Sequence, residues 1–244
     1  MRKSLLILVS VVCFFGAASM TTAAPIDLGS WTQEGPQANG NWVLQSGNTE
    51  VLQTINGNPT YFVSDTNYIN TQFDGSFGVE TTFDDDYIGF VFGYNSQSDF
   101  LLFDWKQANQ PGGALEGFTL SRISGTADVD FWDHTGTDIA VLATDYSTTN
   151  GWADNTVYAF SLIYTPTNIK ISIDSTQIFD VNGSFSDGKF GFYNYSQQSV
   201  RYKGFEEQTV VPEPATIALL GIGLFGLAGT AVRRKRKNKV VNKT

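Results

Sequence analysis

Alternation of apolar and polar positions dominates the middle of the chain. Phe77, Val79, Thr81 and Phe83 fall on one side of an extended segment, as do Tyr158, Phe160, Leu162 and Tyr164, and again Ile169, Ile171 and Ile173. Successive side chains of a strand point to opposite faces, so each run predicts a strand with one face on a core. Segments 87–94 and 100–105 are denser in apolar residues, as in a strand covered on both faces. Turn signals punctuate the pattern: Asn56-Gly57, Asp74-Gly75, Pro111-Gly112-Gly113, Asn150-Gly151, Asn182-Gly183 and Asp187-Gly188. No apolar 3.6-residue period in 25–210 is long enough for a major helix. About twelve short strands joined by turns predict an all-β, two-sheet sandwich of jelly-roll type. Residues 25–40, rich in Gly, Pro, Gln and Asn, read as a loose lead-in.

Both ends break this pattern. Arg2-Lys3, the apolar run from Leu5 to Ala18 and the small residues Thr21-Thr22-Ala23 make 1–24 a signal peptide. At the other end, Val211-Pro212-Glu213-Pro214 interrupts structure, because proline fixes φ and removes a donor. Residues 215–232 are uncharged and mostly apolar, about 27 Å long as a helix at roughly 1.5 Å per residue. That length just spans a bilayer core of about 30 Å. The basic tail 233–244 opens with Arg233, Arg234, Lys235 and Arg236, which places it on the cytoplasmic side and the rest of the chain outside. This tripartite end resembles the PEP-CTERM sorting signal of Gram-negative bacteria. The resemblance implies an exosortase as partner, removal of the membrane helix, and a host that makes exopolysaccharide. The expected domains are therefore the signal peptide 1–24, a β-sandwich 25–210 and the sorting signal 211–244.

Charge follows the same division. The formal charge of −9 is a sum over unlike parts: residues 25–210 hold 23 Asp/Glu against six Lys/Arg, or −17. So acidic a domain repels a phosphate backbone, which excludes a nucleic-acid partner. The single cysteine, Cys13, lies in the signal peptide, so the exported part has no disulfide. The single histidine, His134, sits in a turn-like segment without a Gly-x-Ser-x-Gly elbow anywhere, which argues against a serine hydrolase. The glutamates of the middle are scattered apart from Glu206-Glu207, a poor basis for the carboxylate pair of a glycosidase.

Asp84-Asp85-Asp86 is the most informative segment. Three adjacent carboxylates repel one another unless a cation offsets them, and calcium takes six to eight oxygen ligands. In an extended chain Asp84 and Asp86 share a side while Asp85 faces away, so one ion would need the segment to loop. The alternative is a solvated acidic turn that keeps a sheet edge soluble.

The segment from Asp84 to Gln107 (DDDYIGFVFGYNSQSDFLLFDWKQ) resembles the signature strand pair of the thrombospondin C-terminal, lectin-like domain. Asn41-Trp42-Val43-Leu44, Glu50 to Thr54, Phe73 to Phe77, Trp132 to Gly136, Asn150-Gly151-Trp152 and Gly188 to Tyr193 extend the resemblance over about residues 40–208 in order. It implies a concanavalin-like jelly roll, calcium at Asp84, Asp85 and Asp86, and an extracellular adhesion or matrix role. Three departures limit it. No calcium-wire repeats precede the domain, Asn194 stands where the family has a cysteine, and Leu102-Phe103-Asp104 replaces an apolar stretch proposed as a receptor contact.

The expected function is a non-enzymatic, calcium-binding surface or matrix protein that associates with exopolysaccharide or mediates adhesion. Trp132 and Trp152, beside turns, are the candidate sugar-stacking residues, whereas Trp105 lies in a dense apolar strand and reads as core. The alternative is a secreted polysaccharide-active hydrolase on the same fold.

Overall fold

In the computed structural model the structure describes residues 25–209. The signal peptide and the whole sorting signal, including Val211 to Pro214, the helix 215–232 and the basic tail, lie outside the described residues. Among the described residues no helix is long and apolar enough to cross a membrane.

Fourteen strands form two seven-stranded sheets in which every pairing is antiparallel. The first sheet runs in the order β1 (Thr32–Glu34), β4 (Thr60–Tyr68), β13 (Gly188–Tyr195), β6 (Tyr87–Ser96), β7 (Asp99–Lys106), β8 (Gly117–Ile123) and β9 (Ile139–Tyr146). The second is β12 (Thr176–Asn182), β11 (Asn168–Ile173), β10 (Val157–Tyr164), β5 (Thr71–Val79), β14 (Val200–Thr209), β3 (Glu50–Gln53) and β2 (Trp42–Gln45). Strands adjacent in sequence sit in different sheets at β4 to β5 and β5 to β6, which gives the predicted sandwich.

The alternating strands bury the faces expected of them. Phe160, Leu162 and Tyr164 of β10, and Ile169, Ile171 and Ile173 of β11, point into the space between the sheets. There they meet Phe77, Phe90, Phe103 and Phe190, with ring centroids 4.7 Å apart for Phe90 and Phe103 and 5.5 Å for Phe77 and Phe160. Strands β6 and β7 are covered on both sides, as their composition requires. Their other face belongs to a second apolar cluster on the outside of the first sheet: Tyr61, Tyr87, Val91, Phe100, Leu102 and Tyr193 under Val129, Phe131 and Trp132.

Two expectations need correction. Residues 25–40 are not a loose lead-in, because Leu28 and Trp31 are core residues and Trp31 packs 5.5 Å from the Phe192 ring. The alternation from Phe77 to Phe83 does not persist either. β5 ends at Val79, the chain bends at 82–83, and Phe83 is 87% exposed. That bend makes the next three residues available as a site.

Candidate functional site

Asp84, Asp85 and Asp86 occupy the loop between β5 and β6, at one end of the sandwich. The three residues lie outside the strands, so the side-to-side alternation of a strand does not govern them. One oxygen from each carboxylate lies within 4.8 Å of the others.

The three side chains differ in setting. Asp86 is buried and fixed from several directions: its N–H donates to Gln197 Oε1 at 3.0 Å, and its carbonyl accepts from Trp152 Nε1 at 3.0 Å. Its Oδ1 accepts from Lys106 Nζ at 2.8 Å. Asp85 is partly buried, takes a hydrogen bond from the Gln110 amide, and lies 3.6 Å from the same ammonium. Asp84 accepts from the Asn56 amide and from the Asp85 N–H at 3.2 Å. Burial and the negative charge of Asp86 push the Asp84 carboxyl up to about 6.

The fourth charged member of the cluster, Lys106, does not stand out in the sequence. Its side chain is fully buried, donates also to the Asp85 carbonyl at 2.8 Å, and its ammonium lies 5.4 Å from the Tyr87 ring centroid and 5.1 Å from that of Trp132. It is one positive charge against three carboxylates. The available signal was a lysine at the end of an otherwise apolar strand, on the same face as Asp104.

The two candidate tryptophans separate. Trp152 is 2% exposed and hydrogen-bonded to Asp86, so the expectation of a surface ring at this position is corrected: it is a strut of the acidic loop. Gly151 makes this possible, because a Cβ there would lie 1.9 Å from the Gln107 carbonyl oxygen. Trp132 is partly buried, donates from Nε1 to the Pro111 carbonyl at 2.9 Å, and meets Tyr87 and Tyr195 edge-on. Trp105 is core, as expected.

His134 pairs with Asp104 on β7, Nε2 to Oδ2 at 2.8 Å, with the two residues 8% and 1% exposed. Burial alone draws the imidazole down, but Asp104, Asp133 and Asp130 outweigh it and hold His134 above the ordinary histidine value. The pair is enclosed, with the Tyr87 ring 5.5 Å away, so it anchors residues 125–138 to the sheet.

Residues 37–124 match the family profile of the thrombospondin C-terminal region, and residues 210–237 match the PEP-CTERM protein-sorting motif. Similar proteins include thrombospondin-2 of Gallus gallus, 32% identical over 68% of this chain and 16% of that protein. They also include cartilage oligomeric matrix protein of Bos taurus, 30% identical over 67% of this chain and 25% of that protein. The chain thus spans only a small part of these relatives' length. Similar solved structures are a carbohydrate-binding module from Bacillus subtilis (TM-score 0.53, 13% identity, 73% of this chain and 95% of that one) and the exoplasmic/lumenal domain of VIP36 in a Ca2+/Man-bound form (TM-score 0.50, 10% identity, 75% and 84%). At these identities they establish the fold alone: an all-β two-sheet sandwich with lectin-like neighbours. Profiles and relatives together support an exported, surface-sorted protein. The chain carries a thrombospondin C-terminal region and, C-terminal to it, a PEP-CTERM protein-sorting motif.

Proposed function

We propose that the domain 25–210 is a non-enzymatic, calcium-binding module of a surface or matrix protein that associates with exopolysaccharide or mediates adhesion. An exosortase would recognise the sorting signal 211–244, with the membrane helix as a transient anchor and the basic tail in the cytoplasm. The observation that carries the reading is the convergence of the Asp84, Asp85 and Asp86 carboxylates within 4.8 Å. With Lys106 counted, the cluster holds three negative charges and one positive. The remaining charge matches one divalent cation. The donor type also suits calcium, which prefers carboxylate oxygens; the side-chain amides of Asn56 and Gln110 present their N–H groups to Asp84 and Asp85 and help to hold the two carboxylates in place. Bound calcium would supply the positive charge that the cluster lacks, and Asp86, pinned by Lys106 and Trp152, would hold the loop in place. That VIP36 carries calcium and a sugar, and that another structural neighbour is a carbohydrate-binding module, agrees with this role.

The competing hydrolase reading is weaker on geometry. Glycosidases set their two carboxyl groups at least about 5 Å apart across an open groove. One oxygen of each of Asp84, Asp85 and Asp86 lies within 4.8 Å of the others, at the short limit of that range, and the Asp104–His134 pair is enclosed.

Thermal unfolding of the protein in calcium and in chelator tests the metal. At about 100 times the dissociation constant, mass action contributes about 2.7 kcal/mol, a rise of roughly 5–10 °C for a domain of this size. Asp84→Asn should remove most of that rise without disturbing the Asp86–Lys106 pair. Coincident wild-type curves in calcium and chelator would end the calcium reading.

A further inference from the structure

On the outer face of the first sheet, away from the acidic loop, two adjoining cavities of about 420 Å³ and about 200 Å³ share Gln97 and Thr126. Gln97 belongs to the turn joining β6 and β7, and Thr126 to the segment that covers this face. Glu34 of β1 and Lys189 of β13 line the larger cavity. Neither forms an ion pair with the other or with any charged group among the described residues. The Gln97 amide likewise has no partner among them. Tyr94, in the same wall, is 2% exposed and its hydroxyl is unpartnered. The smaller cavity adds two rings, Tyr61 and Phe131.

We propose that this groove holds a sugar unit of a polysaccharide. Its polar groups are mixed: a carboxylate that only accepts, an ammonium that only donates, and an amide that does both. A ligand must then offer donors and acceptors close together around a small ring. Sugar hydroxyls both donate and accept, and the C–H face of a pyranose packs on an aromatic ring such as the partly exposed Phe131. The combined space falls within the range of small-ligand pockets. The Tyr94 hydroxyl has no exposed surface and lies behind that wall, so the groups open to a ligand are those of Glu34, Lys189 and Gln97.

The inference rests on the polysaccharide reading above and locates it at a site that reading does not use. The test is affinity electrophoresis of the full chain in mild detergent through gels containing a β-1,3-glucan, hydroxyethylcellulose, dextran or alginate. Wild type, Glu34→Ala/Gln97→Ala and Trp132→Ala are run side by side, after melting curves confirm that each is folded. The wild type should be retarded by at least one polymer. The Glu34→Ala/Gln97→Ala variant should lose at least about tenfold in affinity, while Trp132→Ala keeps it. If the wild type migrates freely in all four gels, the polysaccharide reading fails and the groove with it. Equal retardation of wild type and the groove variant overturns the groove alone, and loss confined to Trp132→Ala moves the site to that ring.

Discussion

Lys106 decides the character of the acidic loop. An ammonium with no exposed surface is tolerated only when paired and hydrogen-bonded, and here Asp86 and two oxygens of Asp85 meet that need. Replacing it by methionine keeps the volume but leaves Asp86 buried without a counter-charge. Urea denaturation of Lys106→Met should show a loss of about 3–5 kcal/mol, the usual cost of removing one member of a buried pair. A loss under about 1 kcal/mol, the value of an exposed pair, would mean that the pairing is immaterial. At this scale the sequence was half legible. The run Asp84 to Asp86 stands out because its residues are contiguous. Lys106 and His134 do not, because their partners lie 20 and 30 positions away and are brought near only by strand register and loop return. Trp152 was misread for a related reason. A tryptophan beside a turn looks exposed until the close approach at Gly151 is known.

Among the elements, the segment 124–138 shows where much of the acidity is spent. Asp138 Oδ2 accepts from the N–H groups of Ala127 and Asp128 at 2.9 and 3.1 Å, Asp128 Oδ2 accepts from Thr137 N–H at 2.9 Å, and Asp130 Oδ1 accepts from Trp132 N–H at 2.7 Å. These carboxylates satisfy backbone donors of a loop that has no ladder, a role that spacing alone did not reveal. The loop is then held to the sheet by His134 against Asp104. His134 is raised in the folded state, so its contribution is complete below the unfolded histidine value of about 6.5 and is lost as pH climbs through the folded value. Denaturation midpoints of wild type should therefore fall relative to those of His134→Asn as pH rises through and beyond that value. Asparagine suits the left-handed backbone there, φ +58°. A difference that is constant with pH would show that folding leaves the His134 pKa unchanged. Strands were more legible than loops: β6, β7, β10 and β11 follow directly from their apolar pattern. β14, which lies in the middle of its sheet, was not picked out, although Val200 and Tyr202 are buried on the same side.

For the whole molecule the decisive quantity is the −17 carried by residues 25–210. Of the six cations there, Lys106, Lys170 and Arg201 are tied to carboxylates, and Arg201 spans Glu50 and Glu80 across the second sheet. Most acidic groups therefore have no cationic partner, and the folded domain gathers their charge into a smaller volume than the unfolded chain does. Such self-repulsion opposes compaction and is screened by salt. Raising NaCl from about 10 mM to about 150 mM shortens the Debye length from roughly 30 Å to 8 Å, which reaches most surface pairs but not a buried cluster. In chelator, the melting temperature of the protein should therefore rise with NaCl. Calcium at matched ionic strength should add a further rise, because direct coordination at Asp84 to Asp86 acts where mobile ions do not. A melting temperature that fell with NaCl would mean that the paired cations outweigh the repulsion. Equal effects of sodium and calcium at matched ionic strength would reduce the acidic loop to ordinary surface charge.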